Sequence, residues 1–196
     1  MNIKKNLNIA TILPYKENYT FTKASAASLW VSEFFKKSKY KKNNIIYGHT
    51  KSKDYLSKNY KNINLKNLKS KLKSTTSEYA EKLSKELKNN DNFDIIEVHN
   101  RPQLLFKLIK KLKSKFIFYF HNDPLSMKGS KLVKERLKLL ENVEKIVFVS
   151  EWVRERFFLD IDQKLQTKTE VVYPSVNKQK KIRKEKNIIF VGRLNY

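Results

Sequence analysis

Residues 115–124 read Lys115-Phe116-Ile117-Phe118-Tyr119-Phe120-His121-Asn122-Asp123-Pro124, an apolar and aromatic run that ends in polar side chains and a proline. A run of β-forming residues without polar alternation is typical of a strand that is buried on both faces, as in the centre of a parallel sheet. The polar residues then lie at the carboxyl end of this strand. Open α/β sheets bind their ligands at that edge, so the stretch predicts a central strand and a ligand site together.

A second buried strand, residues 93–98, ends in the same way. It is followed by His99, Asn100, Arg101 and Pro102. Because the carboxyl ends of parallel strands meet at one edge of a sheet, we expect the loops after both strands to form one polar site.

Apolar strands alternate with amphipathic helical segments along most of the chain. This alternation predicts right-handed crossovers and an α/β fold with a Rossmann-like, doubly wound parallel sheet. Residues 51–73 are rich in lysine, asparagine and serine, which indicates a solvated and mobile connection with at most a short strand at residues 63–65. The further predicted strands are residues 7–13, 44–50, 145–149 and 169–173, and the predicted helices are residues 22–36, 75–87, 100–112, 132–140 and 151–158.

Helical spacing also predicts which side chains face the core. In the first helix these are Ala26, Ala27, Trp30 and Phe34, and in the last they are Trp152 and Phe157. Thr75 and Glu78 have the spacing of a capping box, and Ser150 is placed to cap the helix that follows it. Asn100 is also placed to cap a helix, and Asn122 and Asp123 to shape the turn before Leu125, so a structural role competes with a functional one at these positions.

Composition narrows the class of protein. The chain has 196 residues, no cysteine and only three glycines, so disulfides are excluded, and neither a Walker loop nor a G-x-G-x-x-G dinucleotide loop is present. No apolar run approaches the roughly 18 residues that a membrane span needs, and the first residues do not form a signal peptide. We therefore expect a cytoplasmic protein.

The formal net charge of +24 favours a polyanionic partner, but the basic residues are nearly all lysine. Proteins that read nucleic acid rely on arginine, whose planar fork matches phosphates and guanine edges. Lysine as a generic surface residue is therefore the preferred interpretation. A basic, non-catalytic binding module for nucleic acid or an anionic membrane surface remains the alternative.

The end of the sequence predicts a domain boundary. Residues 178–186 are almost wholly charged, as in an interdomain linker, and residues 187–191 form another apolar strand that leads to Gly192 and Arg193. We expect a first domain at residues 1–177, a linker at 178–186, and at 187–196 the first strand of a second, truncated domain.

Four segments together resemble the retaining glycosyltransferases of family 4. They are His121-Asn122-Asp123-Pro124, residues 149–153, Val172-Tyr173-Pro174-Ser175-Val176-Asn177 and residues 190–194. The resemblance implies the GT-B architecture, in which two Rossmann-like domains face each other across a cleft, with residues 1–177 on the acceptor side. It implies hexosyl transfer with retention from a nucleotide sugar to a glycan or lipid-linked acceptor of the cell-envelope type, with no metal or other cofactor and no nucleic acid.

The resemblance also suggests roles for single residues. His121 matches a catalytic histidine beside the donor sugar, and Arg193 matches an arginine on the donor phosphates. We further expect Gly192 and Ser150 on the donor side, and the acceptor or cleft residues to be His99, Asn100, Arg101, Asn122 and Asp123.

The sequence also departs from the family pattern. The glycine-rich loop after the first strand is replaced by Tyr15 to Thr20, and the lysine and paired glutamates of the donor domain would lie beyond Tyr196. We therefore expect residues 1–196 alone to be inactive, and the basic surface to allow peripheral contact with an anionic membrane at its inner face.

Overall fold

A seven-stranded sheet, parallel throughout, organises the part of the chain that the computed structural model describes, residues 6–65, 74–90 and 93–174. The strand order is β3-β2-β1-β4-β5-β6-β7, with β1 and β4 adjacent at the centre. The predicted Rossmann-like α/β sheet is therefore confirmed. The strands are β1 (Ile9–Ile12), β2 (Asn44–Gly48), β3 (Tyr60–Asn62), β4 (Ile95–His99), β5 (Lys115–Phe120), β6 (Lys145–Phe148) and β7 (Thr169–Val171).

Five α-helices cover the two faces of this sheet unequally. The first packs on one face, in a cluster with Leu13, Ile46 and Tyr60, and the other four pack on the opposite face with Ala10 and Ile12. Successive residues of a strand point to opposite faces, which is why neighbours such as Ile12 and Leu13 belong to different clusters. The helices are α1 (Ala26–Lys37), α2 (Thr75–Asn89), α3 (Pro102–Ile109), α4 (Val133–Asn142) and α5 (Glu151–Phe158).

The larger cluster contains a stack of aromatic rings from the strands predicted to be central. Phe120 lies 5.6 Å from Phe148 and 5.4 Å from Phe157, between ring centroids, and all three side chains are fully buried. Each such burial contributes about 1.5–3 kcal/mol. This packing holds the ends of β5 and β6 against α5 and so fixes the loops that leave them.

The predicted burial of α1 is confirmed for Ala27 and wrong for Ala26 and Phe34, and Trp30 is partly buried. The helix buries Ala27, Ser28, Val31 and Ser32, whereas Phe34 is 48% exposed. The face that meets the sheet contains Val31, which packs with Leu13, Ile46 and Tyr60.

The segment before residue 66 is more ordered than its composition predicts. The third strand is Tyr60–Asn62, so the predicted strand at residues 63–65 is wrong by three positions. Tyr60 is buried and stacks on Tyr19 with ring centroids 4.9 Å apart, and an antiparallel bridge joins Thr20 to Tyr55. A few aromatic residues thus anchor a segment that is otherwise polar.

Helix caps and one exposed aromatic also differ from the predictions. Ser74, not Thr75, caps α2 by accepting a hydrogen bond from the Ser77 N–H. Ser150 caps α5 as predicted, through the Val153 N–H, and Phe157 is buried. Trp152 is 55% exposed, because the short α5 turns this side chain to the opposite side from Phe157.

The predicted linker at residues 178–186 and the predicted strand at 187–196 lie outside the described residues. The domain boundaries therefore stay predictions. Among the helices of the described segments, none is both long and apolar enough to cross a bilayer.

Candidate functional site

A crevice of about 910 Å³ opens at the carboxyl edge of the sheet, beside the ends of β4 and β5. One wall is formed by α1, which presents the exposed side chains of Leu29 and Phe34 there. Polar groups from the loops after β4 and β5 form the other wall. The residues that matter most here are Trp30 and Phe34 from α1, Asn100, His121 and Asn122 from the two loops, and Tyr173 after β7.

Two histidines meet at the base of this crevice. Nδ1 of His99 lies 2.8 Å from Nε2 of His121, within hydrogen-bond distance. His99 is the last residue of β4 and is only 1% exposed, whereas His121 follows β5 and lines the crevice. The sequence predicted that both loops share one polar site, and the structure brings these two rings together.

The histidine rings are packed among aromatic side chains. His99 stacks on Tyr119, with centroids 4.5 Å apart and planes 13° from parallel. Trp30 meets His121 edge-on at 5.1 Å. The sequence prediction placed Trp30 in the core, and the structure packs it partly buried against the smaller core cluster. No local signal shows that its ring also covers a histidine pair.

Asn100 joins the two loops. Its backbone φ is +52°, in the left-handed region, and its side-chain Oδ1 accepts a hydrogen bond from the His121 N–H at 2.8 Å. Its own N–H donates to the Tyr119 carbonyl oxygen. The cap of α3 is Arg101, without a side-chain hydrogen bond, so Asn100 is not the helix cap that its position suggested.

Arg101 points to a different crevice. Its guanidinium lies over the ring of Tyr15, 5.4 Å from the centroid, and it lines a second opening of about 650 Å³ with Gln103 and Lys128. Asn100 borders both openings. The structure therefore separates Arg101 from His121, although the two residues were predicted to belong to one site.

The remaining predicted residues divide between crevice and scaffold. Asn122 lines the crevice, whereas Asp123 forms an ion pair with Arg156 at 3.1 Å and accepts the Leu125 N–H. Ser150 caps α5. Gly192 and Arg193 lie outside the described residues, so their predicted roles, like the other site roles, stay predictions.

Burial controls the protonation of both rings. Desolvation lowers the pKa of His121 to about 4, and desolvation together with the neighbouring His121 lowers the pKa of His99 well below its usual value. Both imidazoles are therefore neutral at pH 7, so each has one N–H donor and one nitrogen lone pair. A neutral pair can share one proton between its facing nitrogens without the repulsion of two cations.

Below the histidines lies a buried polar row. The Glu97 carboxylate accepts hydrogen bonds from the Thr11 hydroxyl at 2.7 Å and the Tyr119 hydroxyl at 3.0 Å. Burial raises the pKa of Glu97, although these two hydrogen bonds oppose the rise. Across residues 6–65, 74–90 and 93–174, no cluster of three His, Asp or Glu side chains is arranged to hold a metal ion.

Two solved structures resemble this fold. A glycosyltransferase from Rickettsia africae ESF-5 has a TM-score of 0.59 and 19% identity, with 89% of this chain and 44% of that chain covered. Anabaena Alr3699/HepE, solved in complex with UDP and glucose, has a TM-score of 0.57 and 12% identity, with 88% and 45% covered. The chain thus spans less than half the length of either protein.

The sequence comparisons address the family directly. A comparison with curated proteins gives no significant match. The sequence model named Glycosyltransferase Family 4 matches residues 46–180, well over half of the chain. The chain belongs to Glycosyltransferase Family 4.

Proposed function

We propose that this chain forms the acceptor side of a GT-B glycosyltransferase that moves a hexosyl unit from a nucleotide sugar, with retention, to a glycan or lipid-linked acceptor of the cell envelope. The observation that carries the proposal is the crevice at the carboxyl edge, with the neutral imidazole of His121 in its wall. Family membership supplies the reaction class.

The chemistry of the crevice walls suits a sugar. A hexose has apolar C–H faces and a rim of hydroxyl groups. The crevice offers aromatic surface from Trp30, Phe34 and Tyr173, together with polar groups from Asn100, His121 and Asn122. Binding sites of this kind combine apolar walls with a few well-placed polar groups that fix orientation.

In the proposed reaction, the bond between the sugar and the diphosphate breaks while the anomeric carbon becomes cationic. His121 hydrogen-bonds the donor sugar near this carbon, and Arg193 steadies the negative charge on the departing diphosphate. Gly192 and Ser150 contribute to the donor side. We propose that no metal or other cofactor takes part, since an arginine fork provides the positive charge that the diphosphate needs.

Tryptophan fluorescence tests whether the crevice binds carbohydrate. The chain has two tryptophans, and Trp152 is exposed, so Trp152→Phe leaves Trp30 as the reporter. We expect a saturable change in its emission on titration with hexoses, oligosaccharides, UDP-glucose or GDP-mannose. His121→Ala in the same background should weaken the response, whereas His49→Ala, outside the crevice, should leave it unchanged.

If none of these ligands changes the emission while duplex DNA or anionic vesicles do, the carbohydrate proposal fails in favour of a basic binding module. In a separate assay of nucleoside diphosphate release, we expect no turnover by residues 1–196 alone, because the chain spans under half of both similar structures. Turnover by this chain would overturn that expectation.

The surface charge motivates one further proposed partner. With a net charge of +24, the protein should contact anionic membranes peripherally at their cytoplasmic face. Cosedimentation with vesicles that contain anionic lipid, lost above about 0.5 M salt because the charges are then screened, is the expected result. Equal sedimentation with neutral vesicles would contradict it.

A further inference from the structure

We propose that His99 is a positioning residue, which donates its Nδ1–H to Nε2 of His121 and thereby fixes His121 in the tautomer that carries its proton on Nδ1. In this tautomer, His121 presents a hydrogen-bond donor to whatever occupies the crevice. The importance of that donor for glycosyl transfer rests on the proposed function. The assignment of the tautomer does not depend on that function.

The geometry limits the pair to two arrangements. The 2.8 Å separation between Nδ1 of His99 and Nε2 of His121 requires one of these nitrogens to donate and the other to accept. Both rings are neutral at pH 7, so each has a single N–H. If His99 donates from Nδ1, the proton of His121 is on Nδ1; if His121 donates from Nε2, the proton of His99 must be on its own Nε2.

The surroundings of His99 decide between the two. Its Nε2 is buried and has no hydrogen-bond partner among the residues that the structure describes. In the second arrangement this nitrogen would carry a proton, which would leave a buried N–H unpaired. Buried N–H groups without partners are rarer than under-satisfied acceptors, and each costs about 1–3 kcal/mol. The first arrangement leaves only a lone pair without a partner, and it is therefore the stable one.

The packing around His99 keeps its ring from rotating to place Nε2 near a hydrogen-bond partner. Its ring stacks on Tyr119, whose hydroxyl is held by the buried Glu97 carboxylate. Trp30 lies against both histidines, with centroids 6.0 Å from His99 and 5.1 Å from His121. The backbone of His121 is fixed as well, through its N–H to Asn100. Contacts with Tyr119, Trp30 and Asn100 thus fix the two rings relative to each other.

The consequence appears at the crevice. Nδ1 of His121 makes no hydrogen bond to any of the described residues, and the side chain lines the opening. With Nε2 occupied by His99, only this Nδ1–H remains for a ligand. It fits an oxygen acceptor, such as a sugar hydroxyl or a phosphate oxygen, and it cannot accept a proton from one.

Nitrogen-15 NMR of the imidazole rings tests the proposal. The chain has only three histidines, so His49→Gln, His99→Asn and His121→Gln assign every signal. At pH 7 we expect Nδ1 to be protonated and Nε2 unprotonated in both His99 and His121. A protonated Nε2 on either ring would overturn the proposal. The spectrum gives this answer whether or not the protein binds a nucleotide sugar, so the two proposals can fail separately.

Two substitutions then test the dependence of His121 on its neighbour. His99→Asn keeps a donor near the position of Nδ1, and it should leave the His121 signals close to those of the unmodified protein. His99→Phe keeps the ring stack on Tyr119 but removes the donor. The unprotonated Nε2 of His121 then loses its hydrogen bond, and its nitrogen-15 signal should move to the position of an imidazole nitrogen without a hydrogen-bond partner. His49→Gln is the matched control and should change neither signal. An unchanged His121 in His99→Phe would overturn the positioning role, and if that variant does not fold, the spectrum of the unmodified protein still decides the tautomer.

Discussion

The left-handed backbone at Asn100 offers a direct test of how the two site loops are joined. Asn100 is 6% exposed and its Oδ1 accepts the His121 N–H at 2.8 Å. Asn100→Ala removes this acceptor and leaves the backbone N–H of His121 unpaired. Because His121 is only half-buried, the loss costs about 1–2 kcal/mol. Alanine also tolerates a φ of +52° less well than asparagine does. With that strain included, we expect the free energy of unfolding to fall by about 2–3 kcal/mol.

Two companion variants separate the contributions. Asn100→Gly also lacks the acceptor but adopts positive φ without strain, so it should be about 1 kcal/mol more stable than Asn100→Ala. Asn100→Asp keeps an acceptor oxygen and should be the closest to the unmodified protein. Urea unfolding followed by circular dichroism measures all three. The reasoning is refuted if Asn100→Ala unfolds within about 0.5 kcal/mol of the unmodified protein, or if glycine is less stable than alanine.

Three further predictions concern contacts elsewhere in the fold. In Gly48→Ala the added Cβ would lie 2.8 Å from Tyr60 Oη. Calorimetry should show that the free energy of unfolding falls by about 1–3 kcal/mol. The fall should be smaller in a Tyr60→Phe background, because that substitution removes the nearest atom. Burial alone would raise the pKa of Asp123, but the hydrogen bond and ion pair with Arg156 have the larger effect and hold this pKa below its usual value. Arg156→Gln should therefore raise the pKa of Asp123, as measured by a carbon-13 NMR titration. Burial lowers the pKa of His121 to about 4 in the folded protein, whereas its usual value is 6.5. As the pH falls, His121 is therefore protonated in the unfolded chain before it is protonated in the folded protein. Stability should therefore decrease as the pH falls from about 6.5 to about 4, and His121→Gln should reduce this decrease; an identical curve would contradict it.

The central strands could be predicted because a parallel sheet that is covered on both faces requires continuous apolar runs. β5 and β6 show this directly, since Phe118, Phe120 and Phe148 are all fully buried. Short edge strands give a weaker signal. β3 contributes only Tyr60 to the core, and a single aromatic residue among lysines and asparagines does not mark a strand.

The orientation of α1 could not be predicted because it depends on a surface formed by distant parts of the chain. The helix packs Val31 against Leu13, Ile46 and Tyr60, which come from three separate parts of the chain. Hydrophobic periodicity marks an apolar stripe on a helix, but it does not show which side of the stripe meets the sheet. In α1, Phe34 at one side of the predicted stripe faces the crevice.

The candidate site could be predicted in part. The repeated His-Asn pair after two strands predicted that the loops meet, because parallel strands end at the same edge. The role of Trp30, the separation of Arg101 and the pairing of Asp123 with Arg156 depend on side-chain directions that spacing alone does not determine.

The position of β1 in the middle of the sheet has a consequence during synthesis on the ribosome. Thr11 of β1 pairs with Glu97 of β4, and the two are separated by 86 residues. At about 5–20 residues per second, the nascent chain exposes one open edge of β1 for about 4–17 s before its central neighbour has been translated. During this interval the backbone N–H and C=O groups on that edge of β1 have no strand partner, and such an edge is prone to pair with another chain.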